Sequence, residues 1–122
     1  MAELPELETA RRDLDKDLSG KKIKDVEVIG PVKQIVPGAT KKALSDSLSG
    51  MKIVDVRRVG MLLVMGIGDD QSFVIDIGPT GFLQRAASSD ATDDRTQLTI
   101  GFTQGGELRL LDQGDGVGVS VV

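Results

Sequence analysis

The sequence predicts an α+β fold that is mainly β: a two-sheet antiparallel β-sandwich flanked by two helices. Three observations predict it. From residue 52 onward, short runs of Val, Ile, Leu and Phe alternate with turns rich in Gly, Asp and Pro. Residues 3–18 carry apolar residues at helical spacing, and the repeat described next sets a second helix over about 40–48. And Leu18-Ser19-Gly20-Lys21-Lys22-Ile23-Lys24-Asp25-Val26 returns as Leu48-Ser49-Gly50-Met51-Lys52-Ile53-Val54-Asp55-Val56. Two copies are too few for a solenoid. They read as one device used twice, in which a helix stops at Gly and a strand leaves it.

The elements follow in order. Pro5 suits the first turn of the first helix, Leu4, Leu7, Leu14 and Leu18 can share a face, and Gly20 is the expected C-cap. Ile23, Val26 and Val28 begin a strand. Pro31 and Pro37-Gly38 mark a loop, and Thr40 is the expected N-cap of the second helix. Strands are expected over 53–56, 62–67, 73–77 and 82–85, then 98–102, 107–111 and 117–122. Gly68-Asp69-Asp70, Gly78 to Gly81, Gln104 to Gly106 and Asp112 to Gly116 form the turns between them. Residues 86–95 are polar and are expected to be a mobile loop.

The chain has 122 residues, which predicts a single domain over 1–122. With no Cys and no His, disulfides, a zinc finger, thiol chemistry and a Ser-His hydrolase triad are excluded within this sequence, and no cofactor is implied. Paired Asp residues at 69–70, 90–94 and 112–115 fall in turns, where Asp is expected without a metal. The net charge of −4 and pI of about 4.8 oppose binding through phosphate neutralisation, although they leave room for a local basic strip. Arg57 and Arg58, with Lys52, are the DNA-contact candidates in such a strip; Lys21, Lys22, Lys24, Lys33, Lys41 and Lys42 share that half of the chain. No run approaches the ~18 apolar residues of a membrane span, and the acidic N-terminus is unlike a signal peptide. A cytoplasmic protein without membrane contact is expected.

Glu3-Leu4-Pro5-Glu6-Leu7-Glu8-Thr9, followed by Arg11-Arg12-Asp13-Leu14, resembles the start of the formamidopyrimidine-DNA glycosylase / endonuclease VIII family. The order of later segments agrees. Leu48 to Ile53 is similar to the approach to the family's second strand. Arg57-Arg58-Val59-Gly60-Met61-Leu62-Leu63 is similar to its Arg-Arg-x-Gly-Lys-x-Leu segment. Ile75 to Gly81 is similar to its His-Leu-Gly-Met-Ser/Thr-Gly segment, and Leu108 to Asp112 to the strand before Asn-Asp-Pro-Arg-Arg-Phe-Gly. Relatives are expected to continue with a helix–two-turn–helix module and a zinc finger, and this sequence contains neither.

The resemblance implies a glycosylase with lyase activity, in which an N-terminal amine attacks the sugar and forms a Schiff base. Ala2 stands where the family has Pro, and its amine is exposed only when Met1 is removed. Glu3 matches the catalytic acid and Glu6 its acidic neighbour, so Ala2, Glu3 and Glu6 are the catalytic candidates; Glu3 and Glu6 also suit a helix N-terminus. Other positions depart. Met61 stands for a phosphate-binding Lys, Asp76 for a backbone-touching His and Pro79 for a Met wedge. Gly114, Asp115 and Gly116 stand for Arg-Arg-Phe. Meanwhile Gly20, Gly50, Gly60, Gly78 and Gly81 keep the scaffold's punctuation. A kept frame with an altered site predicts a catalytically degenerate, stand-alone relative. It would act as a non-enzymatic interaction or accessory subunit for a protein partner or larger assembly, with nucleic-acid binding weakened. The alternatives are a minimal DNA glycosylase/AP lyase using Ala2 and Glu3, and a non-catalytic damaged-DNA binder.

Overall fold

A computed structural model of the chain describes residues 4–30, 35–36, 40–60, 62–68, 70–78, 81–87, 89–112 and 117–121. The described elements are α1 (Leu4–Leu18), β1 (Ile23–Val28), α2 (Lys41–Leu48), β2 (Ile53–Val59), β3 (Leu62–Ile67) and β4 (Gln71–Asp76). They continue with β5 (Phe82–Ala86), β6 (Thr96–Phe102), β7 (Glu107–Leu111) and β8 (Gly118–Val121). The strands form two antiparallel four-stranded sheets, ordered β1-β6-β7-β5 and β2-β3-β4-β8. The expected sandwich flanked by two helices is the observed fold.

The repeat explains how the two sheets are joined. The Gly20 N–H donates to the Ile53 carbonyl at 2.7 Å, and the Gly50 N–H donates to the Ile23 carbonyl at the same distance. The Ile23 N–H donates to Met51 O at 2.9 Å and the Ile53 N–H to Lys21 O at 2.8 Å. Lys22 and Lys52 face each other in an antiparallel bridge. Each copy of the device therefore supplies the hydrogen bonds that the other copy lacks, under an approximate two-fold relation. Gly20 and Gly50 permit the exchange because their φ angles, 91° and 83°, lie where a side chain is strained. Leu18, Leu48, Ile23 and Ile53 are fully buried around it.

The relation extends into the strands. β1 and β2 each carry a bulge, between Ile23 and Asp25 and between Ile53 and Asp55. One extra residue per strand lets Ile53 and Val56, three apart, both turn inward. Asp25 and Asp55 then lie over Gly101 and Gly66 of the neighbouring strands, where a Cβ would sit 2.5 and 2.7 Å from a carboxylate oxygen.

The core fills from strict alternation. In β3 Leu63, Met65 and Ile67 point inward, and in β6 Thr96, Leu98, Ile100 and Phe102 are the buried set. Phe73 and Ile75 of β4 belong to the same core cluster as Leu108 and Leu110 of β7. Each helix then covers a strand belonging to the other copy. α1 packs along β2, burying Leu7, Leu14 and Leu18, and α2 packs along β1, burying Leu44 and Leu48. Thr40 caps α2 as expected, its hydroxyl accepting from Ala43 N at 3.0 Å.

Three strand boundaries need correction. β2 runs on to Val59, because the backbones of Arg57 and Arg58 still pair with Val64 and Leu63 although their side chains are polar. β6 begins at Thr96 and β4 at Gln71, polar residues that register with Leu111 and Ile67. The loop after β5 is fastened to its sheet. Arg109, only 3% exposed, donates to Ala91 O and Asp90 O at 2.9 Å each, and Asp93 holds Arg95 at 2.8 Å.

Replacing Gly50 by Ala forces a left-handed conformation on a residue with a Cβ. Nothing lies within 4 Å of that atom, so the cost is backbone alone. Gly50→Ala and Gly20→Ala are each expected to lower stability by about 1–2 kcal/mol, read from urea denaturation midpoints.

Candidate functional site

One end of the second sheet gathers the segments that the family resemblance marks. Val59 pairs with Leu62, Leu62 with Asp76 and Asp76 with Gly118, so four consecutive strands present one row there. The β2–β3 turn, the turn after β4 and the approach to β8 all lie at this row. The start of α1 joins it through Glu8, which meets Arg58 of β2 at 3.1 Å.

Glu8 is the hub of this end. Arg11 Nη2 donates to it at 2.9 Å and Arg12 Nε at 3.0 Å, from one helical turn further along α1. Arg58 adds a third guanidinium and spends Nη1 on the Gly60 carbonyl at 3.0 Å. Hydrogen bonds from Arg11, then from Arg58, hold the Glu8 carboxyl down at about 2, against an ordinary 4.5. The same helix face binds the edge of β2. Arg11 Nη1 donates to Val56 O at 3.3 Å, and Asp15 accepts from Val56 N at 2.8 Å. A shallow recess of about 340 Å³ lies here, lined by Glu8, Arg11, Arg57, Arg58 and Val59.

The other sequence candidates are placed as follows. Arg57 points to the opposite side of the strand from Arg58, as period two requires, and pairs with Asp55 at 3.3 Å. Lys52 lies just before β2, five residues from Arg57, or roughly 16 Å of extended chain; it is not part of this end. Asp76 is exposed and accepts from Gly78 N at 3.0 Å. Glu6 falls in the first turn of α1, and its side chain lies outside the described residues. Ala2, Glu3, Met61, Pro79 and Gly114 to Gly116 also lie outside them.

Sequence reasoning missed two residues. Glu8 was legible in principle, since Arg11 and Arg12 stand at i+3 and i+4 from it. Arg109 was signalled by a charge inside the apolar run of β7. It lies under the loop after β5, where its Nε bonds Glu107 at 2.8 Å.

Against this geometry, the family model described as "Formamidopyrimidine-DNA glycosylase N-terminal domain" matches residues 1–115. The chain belongs to that family. A formamidopyrimidine-DNA glycosylase of Corynebacterium jeikeium is 30% identical over 113 residues, covering 93% of this chain and 38% of that protein. One from Salinispora tropica is 35% identical over 125 residues, covering 99% and 42%. The crystal structure of Lactococcus lactis Fpg with abasic-site DNA superposes with a TM-score of 0.90 at 28% identity, over 99% of this chain and 44% of that one. The complex of the same organism's Fpg with FAPY-dG DNA gives 0.89 at 28% identity, over 98% and 44%. The chain thus spans about two fifths of the length of the curated relatives it matches. This family of DNA-repair glycosylases supplies the frame described above.

Because Glu8 is more acidic in the fold than its ordinary value, its ion pairs stabilise the protein at neutral pH. That contribution is lost as pH falls from about 4.5 toward about 2. Glu8→Gln should therefore cost stability at pH 7 and much less near pH 2.5. Urea denaturation of both proteins at the two pH values checks this; an equal gap at both would rule out the assigned ionic role.

Proposed function

We propose that this domain is a catalytically degenerate member of the glycosylase family, acting as a non-enzymatic interaction or accessory subunit. What supports this reading is the state of the cations at the family's working end. A phosphate-binding surface needs guanidinium and ammonium groups free to meet an anion. Here Arg11, Arg12 and Arg58 converge on Glu8, and Arg57 meets Asp55. Asp76 adds an exposed carboxylate to the same row of the sheet. The sequence adds Met61 in place of Lys, Pro79 in place of the Met wedge, and Gly114, Asp115 and Gly116 in place of Arg-Arg-Phe. Each replacement removes a charge or a wedge that base flipping requires. The frame is then kept for binding, with a protein partner or larger assembly as its counterpart. Nucleic-acid contact at this end is weakened.

The second reading is a minimal DNA glycosylase/AP lyase. It is favoured by membership of the family and by the retention of Glu3 and Glu6. In it the Ala2 amine, freed by loss of Met1, attacks the sugar carbon of an abasic site. The resulting imine forms with loss of water, and Glu3 carries the proton.

Borohydride trapping on abasic-site duplex separates the two. Protein whose mass confirms Met1 removal should give no covalent adduct, and Glu3→Gln should behave identically. An adduct from the wild-type protein that disappears with Glu3→Gln would overturn the non-enzymatic reading.

A further inference from the structure

The ion pairs among the described residues all use arginine. None uses lysine, although Lys21, Lys22, Lys24 and Lys52 crowd one pole of the sandwich. Lys22 and Lys52 are both exposed and stand directly opposite each other in the antiparallel bridge. That register puts their Cβ atoms about 5 Å apart, where like charges destabilise a sheet.

Three carboxylates near this pole are engaged elsewhere, while Asp25, exposed on β1, makes no ion pair among the described residues. Asp15 accepts from Val56 N and from the Ser19 hydroxyl. Asp17 holds Arg85 at 2.6 Å. Asp55 holds Arg57 and accepts from Gly66 N. Asp70 follows the turn that Gly68 N–H fastens to Lys52 O, yet it makes no ion pair with Lys52. The repeat therefore places a like-charged pair on its two-fold axis, and neither member makes an ion pair among the described residues.

We propose that Lys22 and Lys52 form a phosphate-contact site for a polynucleotide backbone. The site lies at the opposite end of β2 from the Glu8 cluster. Ammonium groups on flexible stems suit phosphate as point charges, without bidentate geometry. Two facing lysines meet two phosphates and read no bases, so the contact is sequence-independent. The proposal does not depend on whether the Glu8 end retains chemistry, since it concerns a different pole and a different readout.

Fluorescence anisotropy with a labelled 20-base-pair duplex, titrated between 25 and 200 mM salt, tests it. Losing two phosphate contacts should flatten the slope of log K against log salt by roughly 1.8. Lys22→Gln/Lys52→Gln is expected to show that loss, with an unchanged or higher melting temperature. Lys41→Gln/Lys42→Gln, carrying the same charge change on α2, should keep most of the slope. Equal losses in both variants would reduce the effect to net charge and overturn the site. So would a Lys22→Gln/Lys52→Gln protein that melts earlier but binds as before, because the lysines would then serve only the C-terminal ends of α1 and α2. Calorimetry with tripolyphosphate separates the two sources of phosphate. Binding that depends on both lysines, without duplex binding, would keep a phosphate site and overturn the polynucleotide as its occupant. No binding of either probe overturns the proposal.

Discussion

Four backbone hydrogen bonds between two copies of one short sequence hold this domain together. Gly20 and Ile23 bond to Ile53 and Met51, and Gly50 and Ile53 bond to Ile23 and Lys21. Without the exchange, the backbone groups of Ile23 and Ile53, both fully buried, would lose these partners. With it, the two sheets are stitched at one crossing, and each helix is delivered to the strand of the other copy. Leu18, Leu48, Ile23 and Ile53 surround the crossing and are fully buried, so apolar burial and backbone pairing reinforce each other at the same place.

Most of this was readable in the sequence. The repeat, the glycines that end it and Thr40 as a cap all acted through local chemistry, which a sequence carries openly. The strand boundaries were less legible. Arg57, Arg58, Gln71 and Thr96 belong to strands because their backbones find partners, and only the partner strand can reveal that. The loop after β5 is polar by composition, yet a buried arginine on another strand holds it, at a separation no local pattern encodes. At the candidate site, Arg57 and Arg58 were legible as cations, but their pairing depends on which way each faces. Lys52 looked adjacent to them in sequence and is separated from them by nearly the whole of a strand.

The two kinds of cation are used differently here. Guanidinium groups are spent inside the structure, on carboxylates and on carbonyls such as those of Val56, Gly60 and Ala91. Their planar forks can satisfy several acceptors at once, which suits partly buried positions. Ammonium groups are kept on the surface and bind no carboxylate among the described residues. A net charge of −4 therefore says little about what any one surface presents. The acidic excess is partly consumed in holding arginines, and what remains outside is patterned by position.

The helices have a further effect. A sandwich with open sides offers strand edges to any passing chain. Here α1 places Arg11 and Asp15 on the carbonyl and N–H of Val56, in the manner of an adjoining strand, and reaches β5 through Asp17 and Arg85. On the other side α2 lies along β1 and touches β8. Two of the four outer strands, β2 and β1, are thus covered by a helix of the chain itself. Lengthening a sheet at either of those two strands would first require a helix to be peeled away.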